Sequence, residues 1–189
     1  MARFEIRALL PGDEEQLHRV ARHLNSVNLP NDRERIDEIV DTSYKSFAGI
    51  ISAKAEREYV FVLFDRQEEK IIGTSMILAQ LGRRGAPYIY FDVHRRGAVL
   101  GHDRQALSSH DLRIGYSYNG PTEIGGLVMT LRTAKSSERL GTMISYVRFL
   151  YMAAHRELFR TRWSPSSCRR WSPTGRATCG RRSGANSPT

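Results

Sequence analysis

Apolar and charged positions alternate through FEIRAL (Phe4–Leu9), the period-two pattern of a strand with one buried face. Pro11-Gly12 breaks it. The period then lengthens: Leu17, Val20, Ala21 and Leu24 recur at i, i+3, i+4 and i+7, which predicts a helix over EEQLHRVARHL. Asp13 stands where an N-cap would, and Glu14 and Glu15 suit the positive end of the helix dipole. After Pro30 a second helix is predicted, capped by Asn31 or Asp32, with Ile36, Ile39, Val40 and Tyr44 inward. REYVFVLFD (57–65) is almost continuously apolar, as in a strand covered on both faces. QEEK turns it into IIGTSMILAQL (71–81), giving a hairpin.

A long polar insert follows, with two short β-like pieces, Tyr88–Val93 and Leu112–Tyr118, around a loop. TEIGGLVMTLR (122–132) reads as another apolar strand, with Gly125-Gly126 inside it. After the polar loop TAKSSERLG comes a strong helix, TMISYVRFLYMAAHREL. Its predicted core stripe is Leu140, Met143, Ile144, Val147, Leu150, Tyr151 and Ala154, with Arg148 and Arg156 off the stripe. Strands and helices in this order imply an α+β domain with a mixed, mostly antiparallel sheet flanked by helices. Another strand is then due, but the chain continues WSPSSCRRWSP, whose prolines and polar run exclude a central strand.

Composition changes the picture mainly at that point. The 189 residues suffice for one domain with a real core. No apolar run reaches transmembrane length, and the acidic turn after the N-terminus does not fit a signal peptide, so a cytoplasmic protein with no membrane partner is expected. The net charge of +9 invites nucleic acid as a partner. Residues 163–189, however, carry Arg169, Arg170, Arg176, Arg181 and Arg182 and no acid; without them 24 basic residues face 20 acidic ones, a net +4. No specific nucleic acid is therefore expected as a partner of the body. Cys168 and Cys179 lie in the same tail, eleven apart with no histidine between or after them, a spacing that fits no usual metal set, so no metal is expected.

Candidate chemistry concentrates in GGLVMTLRTAKSSERLGTMIS. A strand that runs through a loop into a helix N-terminus presents unpaired N–H groups and a positive dipole end to an anion. Gly141 allows close backbone approach, and Arg132, Lys135 and Arg139 add charge. His94, His102 and His110 sit in the polar insert and read as solvated. Glu123 is open to two readings, a base or a hydrogen-bonding strand-end carboxylate. Tyr88, Tyr90, Phe91, Tyr116 and Tyr118 read as packing rather than a base-stacking platform.

The stretches REYVFVLFD, IIGTSMI, APYIYFDVHRR, LRIGYSYNGPTEIGGLVM and RLGTMISYVRFLYMAAHRELF resemble the arginine N-succinyltransferase family, whose fold is of the Gcn5-related N-acyltransferase type. The resemblance covers residues 1–162, about the N-terminal half of such proteins. It implies succinyl transfer from succinyl-CoA, as co-substrate, to the α-amino group of L-arginine in arginine catabolism, with no permanently bound cofactor and an oligomeric intact protein. On it, Leu127, Val128 and Met129 match the acyl-CoA strand, and Arg139, Leu140, Gly141 and Thr142 the phosphate loop. That loop has one glycine where many acyltransferases have two. The family's catalytic histidine belongs to its second half, and none of the histidines here matches it; no catalytic residue is assigned. Another acyl-CoA-dependent N-acyltransferase of the same fold is the alternative, and a nucleic-acid-binding protein using the arginine-rich tail is the alternative of another class.

The resemblance also explains the tail. After RELFRTR the family continues with a strand like RVVAE and later a segment like FWEALGRRFF. With GC-rich synonymous codons, the frame beginning one base before the Trp163 codon spells VVAELLPPLEPDG and then LWEALGREF. A base missing near the Arg162 codon would make residues 163–189 out-of-frame translation, a Ser/Pro/Arg/Gly-rich composition expected to be disordered, after an acyltransferase-like domain at 1–162. Nucleotide sequencing across codon 162 is expected to reveal an open alternative frame encoding the rest of an acyltransferase; early stops there refute the frameshift.

Overall fold

The computed structural model describes residues 2–22, 28–99, 106–130 and 139–165. Five strands form one sheet in the order β1 (Phe4–Ala8), β2 (Glu58–Asp65), β3 (Lys70–Leu78), β6 (Thr122–Met129) and β7 (Trp163–Pro165). All neighbours are antiparallel except β6 and β7, which run parallel. Helices α1 (Glu14–Ala21) and α2 (Arg33–Phe47) cover one face, and α3 (Leu140–Ala154) the other.

The near-continuous apolar run of β2 is explained by this sandwich. Val60 and Val62 pack with Leu17, Ile36, Ile39 and Val40 under α1 and α2. Tyr59, Phe61 and Leu63 point the other way, toward Leu140, Ile144 and Phe159. Phe47 sets its ring edge-on to Tyr59, Phe61 and Tyr151, at 5.1 to 5.4 Å between centroids, which ties the end of α2 to α3. Strand β1 pairs only with residues 61–65 of β2, so the first turn of β2 extends past its neighbour. Two buried hydroxyls of α2 fill the gap: Ser46 Oγ accepts from Glu58 N and Ser43 Oγ from Val60 N, both at 3.0 Å. Buried backbone donors need partners, and here a helix supplies them.

Several expectations shift. Asp32 caps α2, its carboxylate accepting from Arg35 N. Asp13 makes no cap bond; its carboxylate takes both Nη groups of Arg7 at 2.6 and 2.9 Å, and Leu10 N. A bidentate arginine nearby outcompetes the helix N–H groups. Tyr44 stays 45% exposed at the edge of the inner face of α2. The insert is not two short pieces around a loop but two twelve-residue strands, β4 (Tyr88–Val99) and β5 (Ala106–Ser117), paired with each other and with no other strand. Cross-strand partners Ile89 and Tyr116, Phe91 and Ile114, Val93 and Leu112 share one face of this hairpin, and all six are more than half exposed. Phe91, Tyr116 and Tyr118 thus do not pack within the chain as expected; Tyr88 and Tyr90 do stack, at 5.8 Å.

Residues 163–165 pair with Thr122–Ile124, so the chain expected to be tail opens with three residues of edge strand. Its position is set by Thr122, whose Oγ1 donates to Ala79 O and accepts from Arg160 N, and whose N–H donates to Arg162 O. The remaining tail, with Cys168 and Cys179, lies outside the described residues.

Ile36 is fully buried between α2 and the sheet. Ile36→Ala is expected to cost about 2–5 kcal/mol, read from urea unfolding midpoints.

Candidate active site

The expected site is built on β6, and the glycine pair decides its shape. Met76 pairs with Gly125 and Thr74 with Val128, so Ser75 alone opposes Gly126 and Leu127. This is a β-bulge in β6. Gly126 takes φ +56, a conformation an L side chain resists, and a Cβ there would lie 2.5 Å from Met76 Sδ. The extra residue reverses the alternation beyond it: Ile124 faces α3, Val128 joins the α1–α2 core, and Met129 turns to the α3 side. Leu127, at the bulge itself, is left 44% exposed.

Two carbonyls beside the bulge are taken by side chains. Thr74 Oγ1 donates to Gly126 O at 2.9 Å, and Arg148 Nη1 to Gly125 O at 3.1 Å. Arg148, expected off the core stripe of α3, is only 5% exposed; Met143 and Leu150, expected on it, are 52% and 70% exposed. The reason is rotational: Leu140, Ile144 and Arg148 follow one another at four-residue steps toward the sheet, while Met143 and Leu150 fall to the outer side. Ser75 Oγ donates to Ile144 O at 2.7 Å and pins the helix over the bulge.

Beyond Ile124, no described strand runs along the outer side of β6. Among the described residues, the stretch of β6 at the bulge has no strand paired on that side. At the first turn of α3, the N-cap Arg139, at φ +53, makes no side-chain cap bond, and no acid lies in that turn. Leu140 contributes its side chain to the core, leaving only its backbone available to a ligand. Gly141 has open space where a Cβ would be, and Thr142 is exposed. Arg132 and Lys135 lie outside the described residues.

Glu123 is a hydrogen-bonding carboxylate, accepting from Asn28 Nδ2 at 2.9 Å. His94 is exposed. His102 lies outside the described residues, and for His110 only the strand backbone is described. Among the described residues no group of three or more His, Cys, Asp or Glu is placed to hold a metal. A cleft of about 850 Å³ opens between the foot of the β4–β5 hairpin and residues 159–162, bordered by Lys54, Tyr88, Tyr90, Asp92 and Arg160, and it includes none of the residues matched to acyl-CoA. Among the described residues, no helix is long and apolar enough to cross a membrane.

Sequence reasoning missed two groups here, Arg148 and Glu58. Burial pushes Glu58 up from 4.5 to about 7, with Arg35 and Arg83 pulling it back. It stands in register with Leu78, which in turn pairs with Glu123, so both carboxylates share one sheet face two strands apart. An acid at the head of a fully apolar strand was the available signal.

A mostly antiparallel sheet with α1 and α2 on one face, a parallel last pair bracketing α3, and a bulge at the parting of that pair defines a Gcn5-related N-acyltransferase-type fold. The chain belongs to the arginine N-succinyltransferase beta subunit family, whose profile matches residues 4–164. A relative named arginine N-succinyltransferase subunit alpha, from Pseudomonas aeruginosa, is 28% identical over 160 residues, covering 82% of this chain and 45% of its own length. An arginine N-succinyltransferase of Yersinia enterocolitica is 26% identical over 136 residues, 70% of this chain and 37% of that protein. The solved structure of arginine/ornithine succinyltransferase subunit AI from Pseudomonas aeruginosa superposes with a TM-score of 0.78 at 23% identity, over 93% of this chain and 53% of that one. The chain thus spans less than half the length of these two curated relatives.

Two outcomes test this geometry. Gly126→Ala is expected to lose about 1–3 kcal/mol of stability in urea unfolding, because it strains a positive φ and meets Met76. The folded state favours protonated Glu58, so stability falls as pH rises from about 4.5 to about 7. Glu58→Gln should remove that decline, seen as equal urea midpoints at acid and neutral pH.

Proposed function

We propose that this chain carries the acyl-CoA-binding part of an arginine N-succinyltransferase, which moves a succinyl group from succinyl-CoA to the α-amino group of L-arginine. The observation that carries this is the bulge of β6 on the way to the first turn of α3, whose N-cap Arg139 makes no side-chain cap bond, within the part of the chain that matches the family. In this reading, exposed Leu127 and the main chain of Val128 and Met129 line the pantetheine and thioester. A backbone N–H at the bulge, held in advance by the ladder on either side, polarises the thioester carbonyl as negative charge develops on it. Arg139, Leu140, Gly141 and Thr142 hold the pyrophosphate with main-chain N–H groups and the helix dipole.

Proton transfer from the attacking amine needs a base. The family's catalytic histidine lies in the second half of its longer members, so the chain by itself is inactive in this reading, a truncated form of a cytoplasmic catabolic enzyme. Residues 1–162 form the acyltransferase-like domain, and residues 163–189 are out-of-frame sequence; the Ser/Pro/Arg/Gly-rich composition of that end supports this. The exposed apolar face of the β4–β5 hairpin supports assembly into an oligomer, since a lone hairpin gains little stability in water.

Calorimetry is expected to detect CoA binding by the purified chain. Thr142→Glu places a carboxylate in the first turn of α3, where it stabilises the helix by about 0.3–1 kcal/mol yet repels pyrophosphate. CoA affinity should therefore drop about tenfold or more, a loss equivalent to about 1.4 kcal/mol or more, while the melting temperature does not fall. Equal CoA affinity in this variant contradicts the site. Measurable turnover of arginine and succinyl-CoA by the chain alone contradicts its inactivity.

A further inference from the structure

Arg148 is a charge without a counter-charge. Its side chain lies inside, between α3 and β6, and its three hydrogen bonds go to neutral acceptors: Gly125 O at 3.1 Å, Ser145 O at 3.2 Å and Ser145 Oγ at 2.7 Å. Among the described residues no carboxylate pairs with it. Burial lowers its pKa and no nearby acid opposes that effect. Arginine nevertheless keeps its proton in proteins, so the fold carries a desolvated cation at the helix–sheet contact. Such a charge is costly unless an anion meets it. The structural duty it performs, donating to the carbonyl of Gly125, needs only a neutral amide. A full charge calls for a different explanation.

The position supplies one. Gly125 immediately precedes the bulge at Gly126 and Leu127, where the reading above holds the thioester carbonyl. In a four-carbon dicarboxylic acyl group the far carboxyl carbon is three bonds from the thioester carbon, about 3.8 Å when extended, the span of one peptide unit. In that reading the carboxylate falls about one residue from the thioester, along the strand whose Gly125 O receives the Arg148 guanidinium. Of the five N–H donors of an arginine, three are engaged here, which leaves donors for an incoming anion.

We propose that Arg148 binds a carboxylate borne by the acyl chain, so that the site selects dicarboxylic acyl thioesters over neutral ones of the same length. This rests on the acyl-CoA reading of β6 and α3. It gives that site its acyl specificity: a CoA thioester ending in an anion completes the ion pair that the folded chain leaves open, whereas a methyl-ended acyl group leaves the cation buried and unmatched.

The test compares succinyl-CoA with butyryl-CoA, a neutral acyl group of equal carbon count, by calorimetry on the full chain, with free CoA as a third ligand. Wild type is expected to bind succinyl-CoA about tenfold or more tightly than butyryl-CoA, as befits one charge-assisted contact. Arg148→Gln keeps a donor for Gly125 O and removes the charge; its ratio should collapse to about one, with folding checked by thermal melting. Equal binding of the two thioesters by wild type overturns the proposal, and so does a folded Arg148→Gln that retains the preference. If Arg148→Gln fails to fold, Arg148→Met, which keeps the bulk without the charge, is measured in its place, and a succinyl preference retained in it overturns the proposal. CoA binding without a succinyl preference defeats this proposal alone, whereas no binding of any of the three defeats the acyl-CoA reading together with it.

Discussion

The carbonyls of Gly125 and Gly126 are where this sheet departs from its own ladder, and much of the molecule is arranged around that departure. One residue too many on β6 forces Gly126 into a left-handed conformation and pushes two acceptors out of regular pairing. Thr74 and Arg148 accept the consequence, one from the neighbouring strand and one from the helix above. The bulge also decides which side of the sheet each later residue of β6 serves, and so how Val128 and Met129 join two different cores. Without it, the same apolar sequence would present Val128 to α3.

Buried hydroxyls do comparable work elsewhere. Ser43 and Ser46 finish an edge that β1 is too short to pair, Ser75 fastens α3 across the sheet, and Thr122 gathers the end of β3, the start of β6 and the segment that becomes β7. Ser43, Ser46 and Thr122 stand in for missing main-chain partners, which buried backbone groups need, and Ser75 adds a second donor to a helix carbonyl. Among the described residues, one stretch of β6 lacks a strand on its outer side, next to the first turn of α3. In the proposed reading that stretch takes the acyl-CoA, and a helix N-terminus and a buried guanidinium of one sign suit a ligand with phosphates at one end and a carboxylate at the other.

The order of elements, the two-sided burial of β2, the hairpin into β3 and the Gly-Gly strand before a strong helix were legible from spacing alone. So was the family, from long stretches of residues 1–162. The long hairpin was not, because its polar and glycine-rich distal half lacks the apolar alternation that marks a strand. Asp13 read as a cap because nothing local reveals that Arg7, across a turn, competes for it. Arg148 read as solvent-facing because charge is the usual marker of an outer face, and a turn of α3 toward the Leu140–Ile144–Arg148 row brought it inward while exposing Met143 and Leu150. Glu123 read ambiguously, and its hydrogen-bond donor, Asn28, lies 95 residues away, beyond any local pattern.

Local periodicity and composition determined which segments become strands and helices, and separated the mildly basic body from an arginine-rich end that carries most of the excess charge. They could do so because hydrophobic spacing and backbone preference act between residues a few positions apart. Tertiary structure alone decided the register of β6 against β3, the bulge that follows from it, the rotation of α3, and the meeting of Arg148 with Gly125. These depend on pairings between segments distant in the chain, where a shift of one residue exchanges the two faces of a strand and no local pattern records which register wins.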